Sequence, residues 1–244
     1  MKPVKSKRTE RVLSSFLTYQ FKKHFYRVYI QDQRTKSAPG GKQYLINHSS
    51  WWDGLLVFYL NQKVVKEDSY AMMSRKGVEE FPFFSKIGAF AVDPSSPKSL
   101  IKQLKLAKDL LNDQKSIWIF PQGKEEHIEK RPMTFMSGPA YLVEHADEHD
   151  IIPVSAYYTF RHDQRPELFI LIGKEISSTV FDGMSRAQIN ESLKTECESQ
   201  LDQIRMDLIE EQITGYSLFL KGFPTASEWL QFFKRLSPDK KEKS

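Results

Sequence analysis

The feature that most constrains the fold is an alternation of short apolar runs with segments of helical spacing. Six apolar runs are predicted strands, at residues 44–47, 69–74, 89–93, 116–120, 151–160 and 168–173. Helical spacing covers residues 53–62, 98–113, 138–148 and 185–212. Such alternation is typical of proteins whose helices cover a mainly parallel sheet. We therefore predict an α/β fold with a mainly parallel sheet flanked by helices, an antiparallel pair near its end, an N-terminal amphipathic helix and a C-terminal helical extension.

The length of 244 residues predicts one large domain with appendages. We divide the chain into a basic amphipathic helical segment at 1–32, an α/β core at 33–180, and a C-terminal helical extension with a basic tail at 181–244. The single cysteine, Cys197, excludes an intrachain disulfide framework and fits a reducing compartment. Since no histidine pairs with it in the sequence pattern, we expect an inert thiol.

The positive charge of the chain lies at its two ends. The formal net charge is +5, but residues 1–30 carry +7 and residues 234–244 carry +3, which leaves −5 in the middle. Apolar residues at helical spacing accompany the first cluster, at Val12, Leu13, Phe16, Leu17, Phe21 and Phe25. Such a helix either packs on its own core or lies on a membrane surface, and both interpretations stay open. We expect no nucleic-acid partner.

The sequence contains no predicted membrane span. No stretch reaches the roughly 18 apolar residues that a spanning helix needs. The first residues, "MKPVKSKRTERVLSSF", are basic but lack the apolar run of a secretory signal. We therefore expect a peripheral or monotopic protein on the cytoplasmic face of the cell membrane.

The stretch "INHSSWWDGLL" at 46–56 places a histidine and a carboxylate five positions apart. On one continuous helix His48 and Asp53 would point about 140° apart and could not easily meet. They meet only if the chain bends between the strand at 44–47 and a helix that begins at Asp53. We predict this bend, with the imidazole on the loop turned back toward the carboxylate, where layered α/β proteins usually carry their chemistry.

A second strand end, "IWIFPQGKEE" at 117–126, also presents a loop. Pro121 cannot continue a central ladder, and Gly123 permits a close approach of the backbone. The strand therefore stops sharply at a cluster of charged residues.

Four blocks in order resemble the lysophospholipid and glycerol-phosphate acyltransferase family. They are H-x4-D at 48–53, "MMSRKGVEEFPFFSKIGAFAVDP", "FPQG" at 120–123 and the strand "IIPVSA", and the resemblance covers roughly residues 40–175. It implies that the α/β core is an O-acyltransferase unit, which moves a fatty acyl group from acyl-CoA or acyl carrier protein to a lipid hydroxyl. His48 would be the general base and Asp53 would orient it. Backbone N–H groups at the helix start or near Gly123 would stabilise the oxyanion, and no cofactor other than the thioester co-substrate is implied.

The departures from the family pattern concern acceptor binding. Many members have F-P-E-G-T-R-S, whereas this chain has Gln122 at the acid and Glu125 at the arginine. Pro94 stands where the family often has another arginine. Since a carboxylate repels a phosphomonoester, we expect an uncharged acceptor hydroxyl, for instance on a glycolipid or a glycosylated carotenoid. The alternatives are a 1-acylglycerol-3-phosphate acyltransferase of phospholipid synthesis and a catalytically degenerate member that only binds lipid.

Several other residues are candidates for binding the acceptor or the donor. They are Gln122, Gly123, Lys124, Arg75, Lys76, Arg131 and Trp51. The four cations would compensate for the missing family cations, and simple surface solvation is the alternative for each. For Trp51 the alternative is packing.

A competing motif, "HADEH" at 145–149, matches H-x-x-E-H, in which two histidines on one helical face bind zinc. The match is short and has no identifiable third ligand, so we expect a solvated helix end and no metal site. No G-x-S-x-G elbow, P-loop or dinucleotide fingerprint occurs, which argues against a serine esterase, a kinase and a dehydrogenase.

Overall fold

The computed structural model describes residues 4–35, 40–93 and 96–236. The α-helices in these ranges are α1 (Lys7–His24), α2 (Asp53–Leu60), α3 (Arg75–Glu80), α4 (Pro97–Asn112), α5 (Gly138–His145), α6 (Arg186–Ile209) and α7 (Ala226–Leu236). The strands are β1 (Arg27–Asp32), β2 (Lys42–Ile46), β3 (Ser69–Ser74), β4 (Ala89–Val92), β5 (Ser116–Ile119), β6 (Asp150–Thr159), β7 (Glu167–Ile172), β8 (Ile176–Ser177) and β9 (Ser217–Lys221). Short π and 3-10 turns occupy Asn61–Val65, Pro82–Ile87 and Ser178–Phe181. Pro94, the linker residues 36–39 and the basic tail from 237 lie outside the described residues.

The strands form one sheet in the order β4-β3-β5-β2-β6-β7-β1-β9, with β8 paired to β6. The pairs from β4 through β6 are parallel, and β1 runs parallel to β7. The predicted antiparallel pair is β6 with β7, joined by the loop at 160–166. The predicted fold class, a mainly parallel sheet flanked by helices, is therefore confirmed.

Helices cover both faces of the sheet because side chains alternate along each strand. On β2, Tyr44 and Ile46 join a core with α1 and α2, whereas Leu45 joins a core with α4, α5 and α6. The sheet is thus packed between two hydrophobic cores, one on each face, and these hold its strands in place.

Helix α1 uses its two faces differently. Ser6 caps its start by accepting a hydrogen bond from the Thr9 N–H at 3.3 Å. Leu17 and Phe21 are buried, and the Phe21 ring packs 4.9 Å from the Tyr59 ring. Phe16 on the opposite face stays exposed. Core packing therefore accounts for one face of the predicted amphipathic helix, and the other face remains free to contact a surface.

Two strands lie where we predicted only helical segments. β1 lies within segment 1–32 and enters the sheet between β7 and β9, because the β-formers of "RVYIQD" follow directly after the helix end at Phe25. β9 lies within segment 181–244 and pairs antiparallel to β1 at the sheet edge. Each of the two terminal segments thus contributes one strand to the sheet.

The predicted helix at 138–148 was wrong in its last turn, and with it the placement of "HADEH". Helix α5 ends at His145, whereas His149 lies beside β6 with its Nε2 3.1 Å from Gln43 Oε1. Burial lowers the pKa of His149. Across the described residues no group of three or more His, Cys, Asp and Glu is arranged to hold a metal ion.

The long C-terminal helix α6 buries the lone cysteine. Cys197 lies in the core, and burial raises the pKa of its thiol to about 12. None of the helices in the described ranges has the length and apolarity to cross a membrane.

Candidate active site

Three strand ends meet at one edge of the sheet and build the site. β2 is parallel to both β5 and β6, so the loops that follow β2 and β5 and the last residues of β6 lie side by side. Asn47 fastens this edge, because its amide donates to the Ala156 carbonyl at 3.0 Å and accepts from the Ala156 N–H at 2.8 Å. The loop after β2 is thus fixed to β6 just before it reaches His48.

His48 and Asp53 meet as the bend requires. The Asp53 N–H bonds the Ser50 carbonyl at 3.0 Å, which turns the chain into α2. His48 Nδ1 lies 2.9 Å from Asp53 Oδ2; the carboxylate side chain is 0% exposed and the imidazole 25%. A carboxylate accepts from the ring, so Nδ1 carries the proton and Nε2 keeps its lone pair in the neutral imidazole.

Asp53 has donors on both oxygens. Its Oδ2 also accepts from the backbone N–H groups of Ser49 at 2.7 Å and Ser50 at 2.8 Å, and its Oδ1 accepts from the Tyr158 hydroxyl at 2.6 Å. Hydrogen bonds of this kind compensate for burying a charged carboxylate. Burial, and then the neighbouring Asp53 charge, raises the pKa of Tyr158 well above its ordinary value, so its hydroxyl keeps the proton that it donates.

The loop after β5 holds the backbone of His48. Gln122, which is buried, accepts from the His48 N–H through Oε1 at 2.5 Å. The Glu126 N–H donates to the His48 carbonyl at 2.9 Å, and the Phe120 ring lies 4.5 Å from the imidazole. The side-chain oxygen of Gln122 is therefore turned to His48, so this predicted binding residue has a positioning contact.

Glu126 is the buried acid of this loop, four residues after Gln122. Burial pushes its pKa upward, but hydrogen bonds from Lys130 and Thr134 outweigh that effect and lower it. Lys130 Nζ lies 2.5 Å from Glu126 Oε1, and the Thr134 hydroxyl donates to the same oxygen at 2.7 Å. The ionised Glu126 carboxylate therefore stabilises the loop through its bonds to Lys130 and Thr134.

Three of the backbone N–H groups in the regions expected to hold an oxyanion bond other groups of the protein. The Ser49 and Ser50 N–H groups at the start of α2 bond Asp53, and the Gly123 N–H bonds the Phe120 carbonyl at 3.1 Å. Gly123 has φ of +72°, which favours glycine, and an added Cβ would lie 3.1 Å from Met136 Cγ. Its role in the loop is conformational.

The predicted cations are spread over the surface. Arg131 donates to Asp202 Oδ1 at 3.0 and 2.6 Å and to two backbone carbonyls. Arg75 is exposed 3.9 Å from Asp93, and Lys124 is exposed 3.9 Å from Glu126. Lys76 is exposed on α3. Arg131 is thus held by a structural ion pair.

Trp51 lies on the surface beside the site. It is 60% exposed and makes edge contacts with the rings of Trp52, 5.4 Å away, and Phe81, 6.3 Å away. The neighbouring Trp52 packs inward against Phe21 and Phe25.

Two cavities flank the loop and α2. A narrow apolar cavity of about 30 Å³ lies between α2 and strands β3 and β5, and the Phe120 ring that packs on His48 also lines it. An open cleft of about 420 Å³ lies on the other side. Its lining is His24, Phe25, Ser49, Ser50, Trp52, Ile128, Tyr158, Phe160 and Pro166. Among these lining residues, all of them described, there is no lysine, arginine or carboxylate.

Comparison with known proteins is consistent with this architecture. The family model described as Acyltransferase matches residues 27–157, slightly more than half of the chain. The chain therefore belongs to the acyltransferase family and is an acyltransferase enzyme, which confirms the resemblance found in the sequence.

Among solved structures, the chain is similar to the crystal structure of the 1-acyl-sn-glycerophosphate (LPA) acyltransferase PlsC from Thermotoga maritima. The TM-score is 0.50 at 12% identity, and the match covers 81% of this chain and 77% of that chain. At this identity the likeness concerns the fold. A comparison with curated proteins gives no significant match.

Proposed function

We propose that this acyltransferase moves a fatty acyl group from the thioester of coenzyme A or acyl carrier protein to a lipid hydroxyl. His48 is the general base and Asp53 orients it. The observation that carries the proposal is the 2.9 Å contact between a partly exposed imidazole and a fully buried, hydrogen-bonded carboxylate.

The contact defines a proton path. Nε2 takes the proton of the acceptor hydroxyl while that oxygen attacks the thioester carbonyl carbon. Asp53 stabilises the resulting imidazolium through Nδ1–H. When the tetrahedral intermediate collapses, the C–S bond breaks, Nε2–H returns the proton to the thiolate, and the products are an ester and a free thiol. Positioned proton transfer of this kind contributes roughly 10²- to 10⁴-fold to a rate.

The sequence departures favour an uncharged acceptor hydroxyl, for instance on a glycolipid or a glycosylated carotenoid. Glu125 stands where the family pattern has a cation, and Arg131 pairs with Asp202. A 1-acylglycerol-3-phosphate acyltransferase, the activity that names PlsC, is the alternative that the shared fold supports. A lipid-binding member without turnover is the third alternative.

A membrane surface is the proposed partner of the exposed aromatic side chains. Helix α7 exposes Trp229 by 48%, Leu230 by 63%, Phe232 by 50% and Phe233 by 57%. They occupy one stripe at helical spacing, beside Lys234 and Arg235. A second exposed stripe lies on α1, at Val12, Phe16 and Tyr19, and the Tyr19 ring lies 5.6 Å from that of Phe223, three residues before α7. Aromatic rings with basic neighbours suit anionic lipid headgroups, as on the cytoplasmic face of a cell membrane.

The test is thiol release from long-chain acyl-CoA with extracted membrane lipids as acceptors. We expect His48→Ala to lower kcat by at least about 100-fold, and Asp53→Asn to lower it comparably. His145→Ala, which removes an exposed histidine from the end of α5, is the matched control and should retain activity. Turnover undiminished in His48→Ala would refute the mechanism. A higher rate on lysophosphatidic acid than on any sugar-bearing lipid would refute the uncharged acceptor.

A further inference from the structure

The open cleft has the dimensions and walls of a preformed binding site. Its volume of about 420 Å³ falls within the range of small-molecule sites. One wall is the end of α1 with His24 and Phe25, and the other is the turn from β6 to β7 with Phe160 and Pro166.

One arginine ties these walls together. Arg165 donates to the carbonyl oxygens of Lys22 at 2.8 Å and Lys23 at 3.0 Å, and also to that of Phe223. The Tyr26 N–H donates to the Pro166 carbonyl at 2.9 Å. The helix end and the strand turn are therefore held at a fixed separation, so a ligand would meet a formed cleft.

The lining chemistry selects a neutral, hydroxyl-rich ligand. Aromatic rings come from Phe25, Trp52, Tyr158 and Phe160, and hydroxyl groups come from Ser49, Ser50 and Tyr158. Aromatic faces stack on the C–H faces of a sugar ring, and serine hydroxyls can donate to and accept from its hydroxyls. The Tyr158 hydroxyl gives its proton to Asp53, so toward a ligand it can only accept. A phosphate would meet neither lysine nor arginine among the described lining residues. Of these same described residues, His24 is the one whose side chain can become a cation, and a single imidazolium lacks the bidentate fork with which arginine binds phosphate.

The cleft shares three lining residues with the hydrogen-bond network of His48 and Asp53. Ser49 and Ser50 directly follow His48 and give their N–H groups to Asp53, while Tyr158 gives its hydroxyl proton to the same carboxylate. Three of the lining residues are thus bonded to the group that orients the imidazole.

We propose that this cleft is the headgroup subsite for the acceptor, and that it takes a neutral sugar-like headgroup. The role of this subsite in catalysis rests on the proposed acyltransfer function, whereas its binding of the headgroup does not. Phe160 at the rim and His24 on the wall are specificity-determining residues, since both side chains are exposed and line the cleft.

The binding experiment uses octyl β-glucoside below its micelle concentration as the neutral probe. We expect Phe160→Ala and His24→Ala to raise its Kd about 5- to 10-fold, and Phe160→Trp to retain binding, because stacking on the ring is lost only in the alanine variants. Phe16→Ala is the matched control, since Phe16 is an exposed phenylalanine outside the cleft. Circular dichroism verifies that each variant is folded. Unchanged binding in both alanine variants, or tighter cleft binding of lysophosphatidic acid than of octyl glucoside, would overturn the subsite.

A parallel measurement separates the subsite from the function. With a glucosyl diacylglycerol as acceptor, Phe160→Ala should raise KM while kcat stays within about twofold. Probe binding that is lost in Phe160→Ala, in a protein that transfers acyl groups to no acceptor, supports the subsite and contradicts the function. Transfer to the glycolipid with unchanged KM in Phe160→Ala and His24→Ala supports the function and overturns the subsite.

Discussion

The loop at residues 47–53 and helix α7 differ in how far their side chains are satisfied by contacts within the protein. In the loop, the key polar groups have partners inside the protein: Asp53 receives four donors, and the His48 backbone is held at both its N–H and its carbonyl. On α7, large aromatic side chains face solvent and pack mainly on one another. The polar groups of the loop therefore need no further binding partner. The apolar side chains of α7 are typical of a surface that binds a membrane or another protein.

The largest effect that this contrast predicts is a loss of membrane binding when the exposed side chains of α7 are replaced. The double variant Trp229→Ser, Phe233→Ser should lose at least about 100-fold in partitioning to anionic vesicles, because each large apolar side chain contributes about 1.5–3 kcal/mol when buried. Flotation with vesicles of phosphatidylglycerol and phosphatidylcholine measures it. Gln231→Ser, on the polar face of the same helix, is the control and should bind as the parent does.

A second copy of the chain is the other partner that would cover α7. Light scattering in the absence of lipid distinguishes the two. A dimer that dissociates in the double variant, together with unchanged vesicle partitioning, would contradict the membrane surface and assign α7 to a dimer interface.

The loop predicts a smaller but sharper effect at Gln122. Replacement by leucine leaves the His48 N–H without its acceptor, which costs about 1–3 kcal/mol and should lower kcat roughly 10- to 100-fold. Gln122→Glu keeps an oxygen at the same position and should retain more activity than Gln122→Leu. Steady-state kinetics should show the loss in kcat with KM little changed. A rise in KM of equal size in both variants would mean that this side chain contacts the substrate instead.

The local part of the site could be predicted from the sequence, and the long-range part could not. His48 and Asp53 are five residues apart, so a strand before them and a helix after them were enough to predict their contact. Gln122 reaches His48 across 74 positions and Tyr158 reaches Asp53 across 105, and no local pattern signals either bond. Gln122 was identified through its motif but assigned to substrate binding, because the motif carries no information on where its oxygen points.

The same distinction explains the fold. The parallel strands from 42 to 119 were predicted closely, since apolar runs between helices have a direct periodic signal. β1 and β9 were missed because each follows or precedes segments dominated by charge or helical spacing, and their pairing with each other joins positions about 190 residues apart. The ion pair between Arg131 and Asp202 on α6 is likewise a long-range contact that the sequence does not signal. Because of it, Arg131 is engaged in a structural pair and not in the binding role that we predicted for it.

Tyr158 carries the smallest expected effect and tests how the loop works. Because its pKa is raised well above the ordinary value, its hydroxyl stays protonated throughout the working range, and its own titration contributes nothing to activity between pH 5 and 9. Tyr158→Phe removes one of the four donors to Asp53 and should lower kcat only about 2- to 10-fold, because the His48 imidazole and two backbone N–H groups still hold the carboxylate.

Steady-state kinetics with long-chain acyl-CoA measures this loss. Tyr157→Phe is the matched control, since the neighbouring Tyr157 hydroxyl bonds Glu129 instead. A loss of about 100-fold or more would show that the Tyr158 hydroxyl is essential to the position of Asp53, and an unchanged rate would show that the other donors suffice.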